Sequence, residues 1–109
     1  MSQKDLSSYL VTINVPPALE ERVVDWLLER GDGLGFTSFV ANGHGAGHEH
    51  LSVAEQVSGR QRRLEFRVEV PNGTLDAFTA ALGAVFGGAD VYYFVLPVIR
   101  SGHLREIAL

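Results

Sequence analysis

Three of the four histidines fall within seven residues, in Gly43-His44-Gly45-Ala46-Gly47-His48-Glu49-His50. Neutral imidazole is a good ligand for first-row metals such as Zn, Cu and Ni. In an extended backbone, side chains two apart share a face, so His48 and His50 would point the same way. Gly45 and Gly47 permit backbone angles that let His44 fold back toward them, and Glu49 offers an oxygen. A divalent transition metal (Zn, Cu or Ni) held by His44, His48 and His50 is the first chemistry this pattern suggests. The spacing matches no standard zinc motif, and the competing reading is a solvated loop whose histidines bind nothing. His103, far along the chain, would join such a site only from a neighbouring copy and otherwise reads as a surface residue.

A second candidate is Gly31-Asp32-Gly33-Leu34-Gly35-Phe36-Thr37-Ser38. Backbone N–H groups in a tight glycine turn can form an anion-binding nest, and Thr37 and Ser38 add hydroxyls. The segment runs from a helix into a strand, the reverse of the order in nucleotide-binding fingerprints. A glycine C-cap followed by a turn is the favoured reading of these residues.

Catalysis finds little support. There is no cysteine, no G-x-S-x-G, no H-E-x-x-H and no persuasive pair of carboxylates, so the chain is read as a non-enzyme. Glu55 and the basic run Arg60 to Arg63 could meet an anion near the histidine loop, or simply form a solvated strand entry. Trp26 reads as core rather than as a stacking platform.

The elements that must position these residues follow from periodicity. Tyr9, Val11, Ile13 and Val15 alternate with polar neighbours, which predicts a strand. Pro16-Pro17 stops it and opens a helix over roughly Pro17 to Arg30, with Glu20 and Glu21 near the positive end of its dipole. Leu19, Val23, Trp26 and Leu27 form its apolar stripe, and Gly31 suits a C′ position. Phe36 to Ala41 is a second strand. Gln61 to Val70 alternates Leu64, Phe66, Val68 and Val70 with Arg63, Glu65, Arg67 and Glu69, one face for a core and one for water or a polar interface. Asn72 or Thr74 can cap a second helix with the stripe Leu75, Phe78, Leu82, Val85 and Phe86, ended by Gly87-Gly88. Val91 to Val98 is apolar throughout and predicts a well-buried last strand.

The order is β-α-β-β-α-β, so the expected fold class is α+β: a ferredoxin-like sandwich with an antiparallel sheet and two helices on one face. The 109 residues suit one domain, with a core at about 9–98, a His/Gly loop at about 42–60 and a tail at 99–109. Hydrophobic residues at 46% and charged residues at 20% indicate a globular chain rather than a disordered one. A formal net charge of -4 speaks against nucleic-acid binding, which needs clustered Lys and Arg. No apolar run approaches the ~20 residues of a membrane span, and the polar start has no secretory signature. The expected location is cytoplasmic.

The segment LLERGDGLGFTSFVANGHG resembles the PII signalling superfamily, in which a helix ends in a glycine turn and enters the second strand through a G-x-T step. A long loop, the T-loop, follows in that superfamily, then a charged-apolar strand that GRQRRLEFRVEV resembles. The likeness of layout spans roughly Leu10 to Val98. The segments PPALEERVVDWLLE, GFTSFVANGHG, AEQVSGRQRR and SGHL are similar to a PII-like family of bacterial proteins often encoded beside heavy-metal efflux systems.

The resemblance implies a homotrimer with sheet faces turned inward and ligand sites between subunits. Gly35, Thr37 and Ser38 occupy places where the superfamily contacts an adenine nucleotide. Across that cleft PII proteins use a glycine- and lysine-rich loop, whereas FGGADVYYF keeps Gly87 and Gly88 but has no Lys or Arg. The modified T-loop tyrosine has no counterpart either. What the likeness implies is a regulatory protein sensing a metal through the histidine loop and touching a protein partner, such as a membrane transporter of an efflux system. The alternative is a nucleotide or small-molecule receptor using the cleft between subunits.

Overall fold

In the computed structural model, which describes residues 6–30, 33–45, 53–54 and 60–107, the first alternating run forms β1 (Ser8–Val15). Pro16 ends it, a single 3-10 turn at Pro17–Leu19 follows, and α1 (Glu20–Glu29) continues with Glu20 and Glu21 in its first turn. The expected helix thus begins as a 3-10 turn, with proline placed where no N–H is required. Next come β2 (Phe36–Gly43), β3 (Gln61–Pro71), a 3-10 turn at Asn72–Thr74, α2 (Leu75–Phe86) and β4 (Tyr92–Val98). Gly31, the expected C′ residue, lies outside the described residues.

The strands form one sheet in the order β2-β3-β1-β4, every neighbouring pair antiparallel. This is the ferredoxin-like arrangement, in which each helix connects two strands that leave room for a third between them. On the helix face the register sets Val11 opposite Val68, Ile13 opposite Phe66, and Val15 opposite Leu64. Val23 and Leu27 of α1 and Phe78, Leu82 and Phe86 of α2 close over them. Trp26 meets Phe78 and Phe86 edge-on at 5.6 and 5.9 Å. Tyr9 shares this buried face, and its hydroxyl has no hydrogen-bond partner among the described residues.

Three expectations are corrected. The run Val91 to Val98 is not a buried central strand. It lies outside β1 at the edge of the sheet, with Tyr92 66%, Phe94 38% and Leu96 47% exposed. Among the described residues no helix covers the face they occupy, so continuous apolarity here does not mean burial on both sides. Val85 is 45% exposed because α2 turns it away from the sheet. Neither proposed cap forms. The Thr74 hydroxyl donates to the Pro71 carbonyl at 3.1 Å and the Asn72 amide to the Leu6 carbonyl at 3.1 Å, so the first is taken by the entry to the 3-10 turn and the second by the segment before β1.

The second face of the sheet stays open. It carries Thr37, Phe39 and Ala41 from β2, Arg63, Glu65, Arg67 and Glu69 from β3, Leu10, Thr12 and Asn14 from β1, and Tyr92, Phe94 and Leu96 from β4. It is charged at its middle and apolar along β4.

Candidate functional site

Gly43 ends β2 opposite Gln61, and His44 follows at once, exposed to solvent, with Gly45 at φ +84°. His44 therefore stands at the root of the connection between β2 and β3. His48 and His50 lie outside the described residues, as does Glu55. Among the described residues no three His, Asp or Glu side chains converge on a point that would hold a cation. His103 is exposed at the start of the last 3-10 turn, Leu104–Glu106.

The glycine turn before β2 borders a cleft of about 520 Å³ lined by Ser7, Ser8, Gly33, Leu34, Gly35, Glu69 and Pro71. Gly33 holds φ +71°, a left-handed conformation that glycine adopts without a Cβ penalty. Glu69 reaches the cleft from the open face of β3. Its Oε2 accepts from the Ser101 hydroxyl at 2.5 Å and from the Ser8 hydroxyl at 2.6 Å. Those two donors, Ser101 first, hold its carboxyl below the usual range against a smaller opposing effect of burial.

Gly35 lines this cleft, but Thr37 and Ser38 do not converge there. The register sets Thr37 opposite Arg67 on the open face and Ser38 opposite Phe66 on the helix side, both exposed. Adjacent strand residues necessarily point to opposite faces. The acid in the cleft, Glu69, was not singled out from sequence as a site residue. Only its place in the alternating charged row of β3 marked it.

The basic run at the start of β3 is divided by the fold. Arg63 is buried, and its Nε donates to the Asn14 side-chain carbonyl at 2.6 Å. Its two terminal nitrogens donate to the Asp90 carboxylate at 2.9 Å, the Asp90 carbonyl at 3.0 Å and the Asn14 carbonyl at 3.2 Å. One guanidinium thus ties β3 to the end of β1 and to the turn between α2 and β4. Arg63 is spent on structure and does not present an anion site. The turn it secures, Gly87 to Asp90, contains no Lys or Arg.

The family model described as "Protein of unknown function (DUF3240)" matches residues 6–105. No curated protein matches the chain in sequence. Among solved structures, a DUF3240 family protein from Shewanella baltica superposes with TM-score 0.72 at 21% identity, covering 95% of this chain and 99% of that one. Arabidopsis thaliana PII bound to citrate gives 0.70 at 19% identity, over 96% of this chain and 90% of that one. CPII from Thiomonas intermedia, a nitrogen regulatory PII-like protein bound to ADP, AMP and bicarbonate, gives 0.62 at 18% identity, over 84% and 89%. At these identities the likeness shows the fold: this is the PII-like form of the ferredoxin-like sandwich.

Proposed function

The chain belongs to the DUF3240 family, and we propose that it is a PII-like regulatory protein, not an enzyme, that assembles as a homotrimer and senses a divalent transition metal. His44, His48 and His50 are the proposed ligands, for Zn, Cu or Ni. The observation that carries this reading is the position of His44. It is exposed and stands where β2 gives way to the connection that corresponds in layout to the PII T-loop. Metal capture there would fix the connection in one shape and so alter its contact with a protein partner. A membrane transporter of an efflux system is the partner proposed. The protein itself is taken to be cytoplasmic. Among the described residues no helix is long and apolar enough to cross a membrane.

Calorimetric titration of the tag-free chain with Zn, Cu and Ni at neutral pH tests this. Saturable binding is expected for at least one metal and is lost in a folded His44→Ala/His48→Ala/His50→Ala variant. Unchanged affinity in that variant overturns the reading.

A second reading is favoured by the cleft at Gly33–Gly35 and by the ADP and AMP held by the Thiomonas protein. In that reading a nucleotide or small molecule binds with Gly35, Thr37 and Ser38 beside it. Glu69 in the cleft and the lack of cations in the Gly87–Asp90 turn suit a ligand that donates hydrogen bonds better than a polyphosphate. A ligand that binds only the folded chain raises its melting temperature. Stabilisation by ADP or AMP, with none by metals, would put this reading first.

A further inference from the structure

Among the described residues, exposed apolar side chains cluster at two separate places on and beyond β4. The first is the open-face strip of β4, where Tyr92, Phe94 and Leu96 follow one another at two-residue spacing opposite Asn14, Thr12 and Leu10. The second is the tail beyond β4. Leu104 is 83% exposed and Ile107 is 59% exposed, one turn apart, with the Ile107 N–H donating to the Leu104 carbonyl at 3.0 Å.

The tail does not cover the strip it leaves. Its Ser101 is tied to Glu69 on β3, and β1 lies between β3 and β4. The chain thus crosses the open face away from its own β4 before Leu104 is reached. With Arg63 buried and paired to Asp90, the accessible charges of the rest of the open face are Glu65, Arg67 and Glu69, of both signs, which fits a second copy better than a partner of one charge sign.

We infer that Leu104 and Ile107 of one copy seat on the Tyr92–Phe94–Leu96 strip of a second copy. The two surfaces differ, so the contact is heterologous: each copy gives its tail to one neighbour and its strip to the other. Repeated by a rotation that closes, such a contact makes a ring with no surface left over. The inference rests on the assembly part of the proposed function and adds to it which surfaces meet and in what sense.

The chain has no cysteine, which makes disulfide trapping direct. The double variants Leu104→Cys/Leu96→Cys and Leu104→Cys/Phe94→Cys allow for a shift of one pair in register. On oxidation, at least one is expected to give a covalent ladder that ends at the subunit number found by light scattering of the unmodified chain. Each single variant should stay uncoupled, and an equal mixture of two complementary singles should yield dimers only. In the same light-scattering measurement, Leu104→Ser/Ile107→Ser should lower the mass of the assembly to that of one chain. Disulfides within one chain, coupling of a single variant with itself, or no coupling in either double variant overturn the inference. If the unmodified chain is a stable trimer while coupling fails and the serine variant keeps its mass, only the tail contact is wrong. A monomeric unmodified chain sinks both the contact and the trimer.

Discussion

The Arg63 guanidinium stands 2.9 Å from the Asp90 carboxylate, yet the two ends of the pair live in different surroundings, 7% and 69% exposed. The buried partner carries the consequence. Removing the arginine in Arg63→Met strips hydrogen bonds from Asn14 and Asp90 together and should cost about 2–3 kcal/mol. Asp90→Asn leaves the guanidinium bonded to Asn14 and to the Asp90 carbonyl, and should cost about 0.5–1 kcal/mol. Urea unfolding of both variants checks the asymmetry. Equal losses would mean that the exposed carboxylate, not the buried network, anchors the turn.

Tyr9 carries a buried hydroxyl with no partner among the described residues. An unmatched polar atom in a core costs about 1–3 kcal/mol. Tyr9→Phe removes that atom and keeps the ring, so it should stabilise the chain by about 1 kcal/mol. A lower melting temperature in the variant would show that the hydroxyl is satisfied.

Glu69 should make stability depend on pH. Its carboxyl binds a proton less readily in the folded chain than in the unfolded one, because the Ser101 and Ser8 hydroxyls donate to its ionised form. The stabilisation is therefore complete above the ordinary carboxylate range and is lost as pH falls through the lower native value. Glu69→Gln removes the titration while keeping an acceptor. The stability difference between wild type and variant should shrink as urea unfolding is repeated from neutral to acid pH; a constant difference would contradict the assignment.

Gly33 and Gly35 separate backbone strain from crowding. A Cβ at either position meets nothing within 4 Å, but only Gly33 has a left-handed φ, +71°. Gly33→Ala should cost about 1–2 kcal/mol, and Gly35→Ala should stay within about 0.5 kcal/mol. Urea midpoints for the pair check this. If the cleft binds a ligand, Gly35→Ala should weaken that binding without lowering stability.

The central strands were legible because each must bury one face. The alternation in Tyr9 to Val15 and in Leu64 to Val70 gave both the strand and its buried side. Val91 to Val98 misled for a physical reason: apolar residues on an uncovered sheet face look, in sequence, like residues inside a core. Pro97 was the warning, since a residue with no N–H is confined to sheet edges. The Arg63 network was beyond reach, because it joins residues 49 and 27 positions apart through a register known only once the strands pair. Thr37 and Ser38 were visible as hydroxyls, but only the pairing with β3 shows them on opposite faces. Ser101 gave no sign of its tie to Glu69, because nothing local to the tail requires it.

Trp26 is the chain's single tryptophan, and its indole is wedged against Phe78 and Phe86 with the Arg30 guanidinium 4.9 Å above it. All four residues belong to the helix layer, while Tyr92 and Phe94 decorate the sheet's other side. Indole fluorescence should therefore follow the loosening of the helices and stay nearly silent when another subunit arrives across the sheet. Tyrosine emission, with Tyr92 in the contact, should respond to that arrival. Unlabelled protein thus carries separate optical signatures for unfolding and for subunit exchange.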